Sequence, residues 1–343
     1  MKKLFIITAL YFLLCQTGFS QKNSSVNYLK IAFYNCENMY DTVDDKTVND
    51  NDFLPQSERN WNSAKYYTKI NNISHVIYSI DSLNLPAIIG LGEIENKNVL
   101  HDLVHSNYLK KVPYKIIHYE SSDPRGIDVA LMVNPKIVDV VYSQEIKVFN
   151  KDKSLREMLY AKLLVFKKDT LNVFVNHWKS RVGNENETKY KRILYASTLR
   201  SIVDSLFKAE RSPKIIIMGD FNDNPVDTSI ACVLNAFSPE DFSRESNLYN
   251  LFYSTFMNQN GSLCYGKSQW NMFDQIIISG DLLGDSKCHL HYVSGSAEVF
   301  RRSWMLYTTK SGLRRPSKTY DGKKYFGGYS DHLPVTISLK YIR

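Results

Sequence analysis

Residues 214–225, KIIIMGDFNDNP, set a carboxylate and a carboxamide, Asp220 and Asn222, two positions apart where an apolar run ends. On an extended chain that spacing puts both groups on one side, where an attacking water or a phosphate oxygen meets them together. Alone, the pattern serves equally well as a capped strand and turn, because Asp and Asn are ordinary turn residues. Other apolar runs are followed by comparable groups: Asn35 and Glu37 after 28–34, Glu93 after 86–92, and His177 after 171–175. Asp331 and His332 stand before the last apolar stretch, and Asp274 immediately precedes the run 275–279. Phosphodiester hydrolysis needs a hard cation held by oxygen ligands, an activated water, and donors for the oxygens that gain charge. This set supplies all three.

Bringing these positions together requires several strands to end at one edge. Residues 215–218 are four consecutive apolar residues, as in a strand covered on both faces, and Pro225 prevents that strand from continuing. In 63–82, Ile70, Ile73, Ile77 and Ile80 recur at helical spacing, and 187–208 repeats the pattern with Ile193, Leu199, Ile202 and Leu206. Between them, 114–118, 127–133, 137–148, 158–166 and 171–175 read as strands and hairpins. Residues 41–62 are acidic and polar and read as a surface loop. The loop 301–325 carries eight Lys and Arg against Asp321 alone.

With 343 residues, 43% hydrophobic and 13% aromatic, the chain can bury a large core. Residues 1–20 have the form of a Sec signal peptide: Lys2 and Lys3, an apolar run from 4 to 15, then small residues before Gln21. The expected organisation is therefore a leader at 1–20 and one domain over 21–343, exported to the periplasm or beyond, with no membrane anchor and a monomeric state. Loss of the two leader lysines takes the net charge from +8 to +6, a balance suited to polyanions or phosphorylated surfaces. Cys36, Cys232, Cys264 and Cys288 remain, with no zinc-like spacing; one disulfide or buried thiols are both compatible with them.

The motifs FYNCEN, GLGEIEN, RGIDVALM, NHWKS, GDFND, FDQIIIS and SDHLPV, in this order over 28–342, resemble those of the endonuclease/exonuclease/phosphatase superfamily. That superfamily includes DNase I, apurinic endonucleases, neutral sphingomyelinases and inositol polyphosphate 5-phosphatases, and the first two motifs look like its exported bacterial branch. The resemblance implies a DNase I-like four-layer α/β/β/α sandwich, two mainly antiparallel mixed sheets face to face with the site at one edge. It implies a metal at Glu93 and Asp331 with Asn35 beside it, Mg²⁺ in the first instance and Mn²⁺ or Ca²⁺ as alternatives. Asp220 would orient or deprotonate the attacking water, and Asn222 would contact a phosphate oxygen. His332, held and polarised by Asp274, would stabilise the transition state, and His177 would donate to the scissile phosphate. A histidine beside a carboxylate stays cationic more readily, in agreement with that pairing. Glu37, Arg125 and Arg181 are either substrate contacts or solvated surface. Gly92 departs from the pattern, because many relatives carry Gln there.

The resulting expectation is a metal-dependent nuclease, its nucleic acid met by the basic loop 301–325 and by Trp270, Phe273 and Tyr265. The alternatives are a phosphatase or a lipid or sphingolipid phosphodiesterase of the same fold, acting on a phosphorylated small molecule or lipid head group, and a binding protein without catalysis.

Overall fold

The computed structural model describes residues 26–151, 153–241, 247–265, 269–284 and 289–342; the leader and Cys288 lie outside them. The chain opens with β1 (Val26–Met39), α1 (Ser63–Ile80), β2 (Ile88–Ile94), α2 (Lys97–Val104), β3 (Lys115–His118) and β4 (Asp128–Val133). Then come β5 (Val138–Asn150), β6 (Lys153–Val165), β7 (Asp169–His177), α3 (Glu185–Ala209) and β8 (Ile215–Asp220). Shorter pieces follow: β9 (Ala236–Phe237), β10 (Leu248–Asn250), α4 (Tyr253–Met257), β11 (Leu263–Tyr265), β12 (Gln269–Asn271), β13 (Asp274–Ser279), β14 (Leu290–Tyr292) and β15 (Glu298–Val299). The chain closes with β16 (Leu306–Thr308), β17 (Arg314–Pro316), β18 (Tyr320–Asp321), β19 (Lys324–Tyr325) and β20 (Val335–Ile342).

Two seven-stranded mixed sheets result. The first runs β14-β20-β1-β2-β4-β3, with β15 also on β20; the second runs β5-β6-β7-β8-β13-β10-β9. Most neighbours are antiparallel, but three pairs are parallel: β1 with β2, β7 with β8, and the short β9 with β10. Parallel neighbours need a crossover, and those of β1/β2 and β7/β8 each contain a long helix, α1 in one sheet and α3 in the other. The two units therefore deliver four carboxyl-terminal strand ends, where open sheets bind their ligands.

Alternation of side chains makes the layers. Ile31, Phe33, Leu131 and Val133 of the first sheet meet Val173, Val175, Ile216, Met218, Ile276 and Ile278 of the second in one core. Their neighbours Tyr34, Ile89, Leu91 and Met132 point the other way and pack under α1 and α2. Ile215, Ile217 and Ile277 likewise pack under α3, against Tyr195, Leu199 and Val203. This is the expected α/β/β/α order, with each buried aliphatic side chain contributing about 1.5–3 kcal/mol. Asn62, Asn96 and Asn184 cap the helix starts, each accepting a backbone N–H three residues on. No helix among the described residues is long and apolar enough to cross a membrane.

Three local expectations are corrected. The face of α3 that is buried runs through Tyr195, Ala196, Leu199 and Val203, while Ile202 and Leu206 sit at its margin. Residues 41–62 are not simply a surface loop, because Phe53, Leu54 and Trp61 are buried there, with Phe53 stacked on Tyr40 at 4.4 Å. The 301–325 stretch is not an open loop either; its two hairpins, β16/β17 and β18/β19, pack against the sandwich.

Candidate active site

The ends of β1 and β2 are irregular. Asn35 pairs with Gly92, after which the register slips on both strands and Glu37, Asn38 and Glu93 take positive φ of 52°, 51° and 60°. Such conformations cost non-glycine residues of order 1 kcal/mol or more each and persist where surrounding contacts enforce them. Here the contacts converge on one carboxylate. The Asn38 backbone N–H donates to Glu93 Oε2 at 2.7 Å, and Asn35 Nδ2 donates to Glu93 Oε1 at 3.3 Å. The same fully buried Asn35 amide reaches the second sheet, donating to Asp220 Oδ2 at 3.1 Å.

The ends of β7, β8 and β13 are regular by contrast. Asp220 lies opposite His177 on one side and Asp274 on the other. Gly219, with φ 159°, lets the strands close up: a Cβ there would sit 2.3 Å from the Asn176 carbonyl oxygen. Asn222, at φ 51°, folds back so that its N–H donates to Asp220 Oδ1 at 2.9 Å and its side chain to the Trp178 carbonyl at 3.1 Å. Burial pushes the Asp220 carboxyl up to about 7; nearby His332 opposes the shift, and Asp274 and Glu93 add to it.

Two histidines face Asp220. His332 Nδ1 is 2.6 Å from Asp274 Oδ2, and its Nε2 is 3.9 Å from Asp220 Oδ2 and 3.9 Å from Asp331 Oδ1. Burial favours the neutral ring, but Asp274, Asp331 and Asp220 outweigh it and hold His332 well above the ordinary histidine range. His177 Nε2 is 3.7 Å from Asp220 Oδ2 and 3.8 Å from Glu93 Oε1. Burial, then Arg156 and Arg125, hold it well below that range, so it is the neutral ring; its buried Nδ1 has no hydrogen-bond partner.

Asn35, Glu93, His177, Asp220, Asn222, Asp274, Asp331 and His332 therefore share one edge of the sandwich. Asp331 keeps 42% of its side-chain exposure; the carboxyl is pushed up by burial and by Glu37 and Glu93, a push that the water reaching it moderates. The three other candidates are held by protein groups. Glu37 is buried, accepting from the Thr319 N–H at 2.7 Å and from Lys69 Nζ at 3.4 Å. Arg181 donates to the Asn222 carbonyl at 2.8 Å and to Asp223 at 2.9 Å, with its guanidinium 4.8 Å over Phe273. Arg125 is half exposed and pairs with Asp123 at 3.2 Å. Phe273 is thus covered by Arg181, and Trp270 by Arg301 at 4.2 Å; the Tyr265 side chain lies outside the described residues. Gly92 also has a local reason: a Cβ there would stand 3.3 Å from the Phe33 ring, tighter than an ordinary contact. Cys36, Cys232 and Cys264 are free thiols.

Four supporting residues escaped the sequence reading. Ser262 donates to Asp274 Oδ2, and Ser330 ties the Asn35 carbonyl at 2.8 Å to the His332 N–H at 3.0 Å. Buried Arg156 donates to the His177 carbonyl at 2.9 Å. Lys69 is 1% exposed and donates to Thr319 Oγ1 at 2.6 Å and to the Tyr329 carbonyl at 2.7 Å, fastening the approach to Asp331. A lysine among the buried positions of α1 was its available signal.

The donors suit a hard divalent ion. Glu93 and Asp331 offer carboxylate oxygen, with Asn35 beside them accepting the Glu37 N–H on its Oδ1 at 2.9 Å, and the crowding that pushes Asp331 upward is what a cation would relieve. Donor atoms of Asp220, Asp274 and His332 also lie within 4.8 Å of one another, but there the Asp274–His332 hydrogen bond already occupies the pair. His118, Glu120 and Asp128 form a further group, in which His118 Nε2 is bonded to Asp128 at 2.9 Å.

Comparison with known proteins agrees with this geometry. The model of the endonuclease/exonuclease/phosphatase family matches residues 30–341. No curated protein sequence matches the chain. Among solved structures, a family member from Bacteroides thetaiotaomicron is 15% identical with a TM-score of 0.56, over 93% of this chain and 96% of that one. A mannosyl-6-phosphatase from the same organism gives 15% and 0.56, over 91% and 99%. Danio rerio TDP2 complexed with a single-strand DNA product gives 16% and 0.50, over 91% and 98%. At such identities the likeness concerns the DNase I-like fold. With the family model spanning nearly the whole described chain over a site of this composition, the protein belongs to the endonuclease/exonuclease/phosphatase family of phosphoester hydrolases.

Proposed function

We propose that the protein is an exported, divalent-metal-dependent phosphodiesterase whose substrate is nucleic acid. The observation that carries this reading is the placing of Asp220 between a cationic His332 and a neutral His177. With its carboxyl pushed to about 7, Asp220 takes the proton of the attacking water near neutral pH. His332 sets its positive charge where the phosphoryl oxygens gain negative charge, and Asp274 keeps that ring charged and oriented. The His177 Nε2–H donates to the scissile phosphate, and Asn222 positions the Asp220 carboxylate through its backbone N–H. Asn35, Glu93 and Asp331 would hold Mg²⁺, or Mn²⁺ or Ca²⁺, which supplies charge neutralisation and orientation of the phosphate.

Support for a polyanionic substrate comes from a recess of about 380 Å³ beside the site, in which Arg315 and Lys318, the latter paired with Asp321 at 2.8 Å, stand with Asp331. The solved TDP2 complex with a DNA product is in keeping with it. Export rests on the leader-like residues 1–20. A second reading, hydrolysis of a phosphorylated small molecule, is favoured by the covering of Trp270 and Phe273 by guanidinium groups, which removes two expected stacking surfaces. The mannosyl-6-phosphatase of the same fold fits that reading.

The test incubates the chain from Gln21 with supercoiled plasmid, single-stranded DNA, RNA, bis(p-nitrophenyl) phosphate and sugar phosphates, with Mg²⁺ or EDTA. Metal-dependent cleavage of DNA or RNA, abolished in Asp220→Asn, is expected. Turnover confined to sugar phosphates would replace the substrate and keep the residue roles.

A further inference from the structure

A second recess, of about 300 Å³, opens on the Glu93 side of the site and plays no part in the steps above. Asn38, Tyr40, Asn49, Asp52, Phe53, Arg59 and Arg125 line it. Asn38 joins it to the catalytic edge, since the residue that lines the recess also gives Glu93 Oε2 its backbone N–H. Its walls come from three segments fastened to one another. The Tyr40 hydroxyl donates to the Arg125 carbonyl at 2.8 Å, and the Asn49 N–H donates to the Pro124 carbonyl at 2.8 Å. Gly126, at φ 65°, is packed so closely on Val48 that a Cβ would come within 2.7 Å of it. The recess is therefore shaped before any ligand arrives.

Its charged lining is Arg59 and Arg125 with Asp52, and each guanidinium also has a carboxylate neighbour. Arg59 lies 4.5 Å over the Phe53 ring and is steered by Asp52 at 3.2 Å, an acid whose side chain is 75% exposed and so neutralises it weakly. Arg125 keeps half its side-chain exposure. Burial first, and then Arg125 among the nearby cations, disfavours the charged form of Lys179 and of His177, so Arg125 lies within electrostatic reach of the scissile position. Two guanidiniums with planar N–H donors in a pre-shaped recess are suited to a phosphate.

Building on the phosphoesterase reading, we propose that this recess is a second phosphate subsite, and that Arg59 and Arg125 select substrates with another phosphate next to the bond that is cut. That phosphate comes either from the next link of a nucleic-acid strand or from a doubly phosphorylated small molecule.

Binding tests the subsite without turnover. Calorimetric titrations in Mg²⁺ compare adenosine 3′,5′-bisphosphate, adenosine 5′-monophosphate and a 5′-phosphorylated tetranucleotide. The bisphosphate is expected to bind at least about tenfold more tightly than the monophosphate. Arg59→Gln and Arg125→Gln, made separately, should each shrink that ratio severalfold. Lys310→Gln, an equal charge loss at the exposed tip between β16 and β17, should leave it unchanged. A wild-type ratio near one, or equal shrinkage in the Lys310 variant, overturns the subsite. A tetranucleotide that binds more tightly than the bisphosphate identifies a strand as the source; equal binding identifies the small molecule. Hydrolysis of bis(p-nitrophenyl) phosphate, measured in parallel on the wild type, judges the phosphoesterase reading separately, because the titration ratio does not depend on it.

Discussion

His177 and His332 lie at similar distances from the same carboxylate oxygen, 3.7 Å and 3.9 Å from Asp220 Oδ2, and both are buried. They nonetheless differ in charge, one cationic and the other neutral. Around His332 stand Asp274, Asp331 and Asp220; around His177, Arg156, Arg125 and Lys179 supply positive charge and its Nδ1 has no partner. Residue type and burial are shared, so neighbours at the next remove decide which imidazole carries the proton. The site thereby obtains a fixed positive charge and a neutral donor from one kind of side chain.

The strongest way to break this arrangement is to remove the group between the rings. Asp220→Asn should lower kcat by about 10²- to 10⁴-fold in Mg²⁺. It should also alter stability in a definite direction. A carboxyl raised from 3.8 to about 7 in the folded chain contributes stability that is full below pH 3.8 and is lost as pH rises through about 7. In EDTA the wild-type Tm should therefore fall between pH 5 and pH 8, and the Asn variant should flatten that fall. A steeper fall in the variant would contradict the assigned burial cost.

Next in size, Asp274→Asn removes the main charge partner of His332. A loss of about 10²- to 10³-fold in kcat is expected, with KM little changed. Smaller is the effect of filling the space beside Glu93: Gly92→Gln should cost about 1–3 kcal/mol in denaturant unfolding, because the Phe33 ring must move. The gentlest measurement sharpens the comparison without altering the protein. In metal-free chain, ¹⁵N shifts of the imidazole nitrogens should show His332 still protonated well above pH 6.5 and His177 still neutral well below it. Coincident titrations would erase the distinction.

How much of this was legible in the sequence depended on what each residue pairs with. The apolar runs 215–218 and 86–92 announced strands because both faces are buried, and the polar residues closing them could be placed at one edge. The family motifs then fixed which residues meet. What stayed hidden depended on contacts between distant segments. Glu37 has the type and position of a site residue, yet Lys69 and Thr319, far away in sequence, occupy its carboxylate. The basic stretch 301–325 looked solvated or ready for a polyanion. Much of its charge is engaged locally instead: Arg301 on Trp270, Arg302 with Glu298, Lys318 with Asp321, Lys323 with Glu58. The Arg59–Arg125 recess could not be read from composition, because its walls lie in a segment that looked like plain acidic loop.

The pairing of β20 with β1, from Val26 opposite Ile342 to Phe33 opposite Val335, has a consequence for timing during synthesis. β1 is made long before β20, so its outer edge stays open until β20 arrives. Asp331 and His332 immediately precede that strand, and Ser330 fastens them to Asn35, 295 residues earlier. A chain in which β20 has not yet paired with β1 can therefore carry Glu93, His177 and Asp220 before His332 is held opposite them. The placing of the cationic ring thus waits on the pairing of β20 with β1, long after the acids it faces have been made.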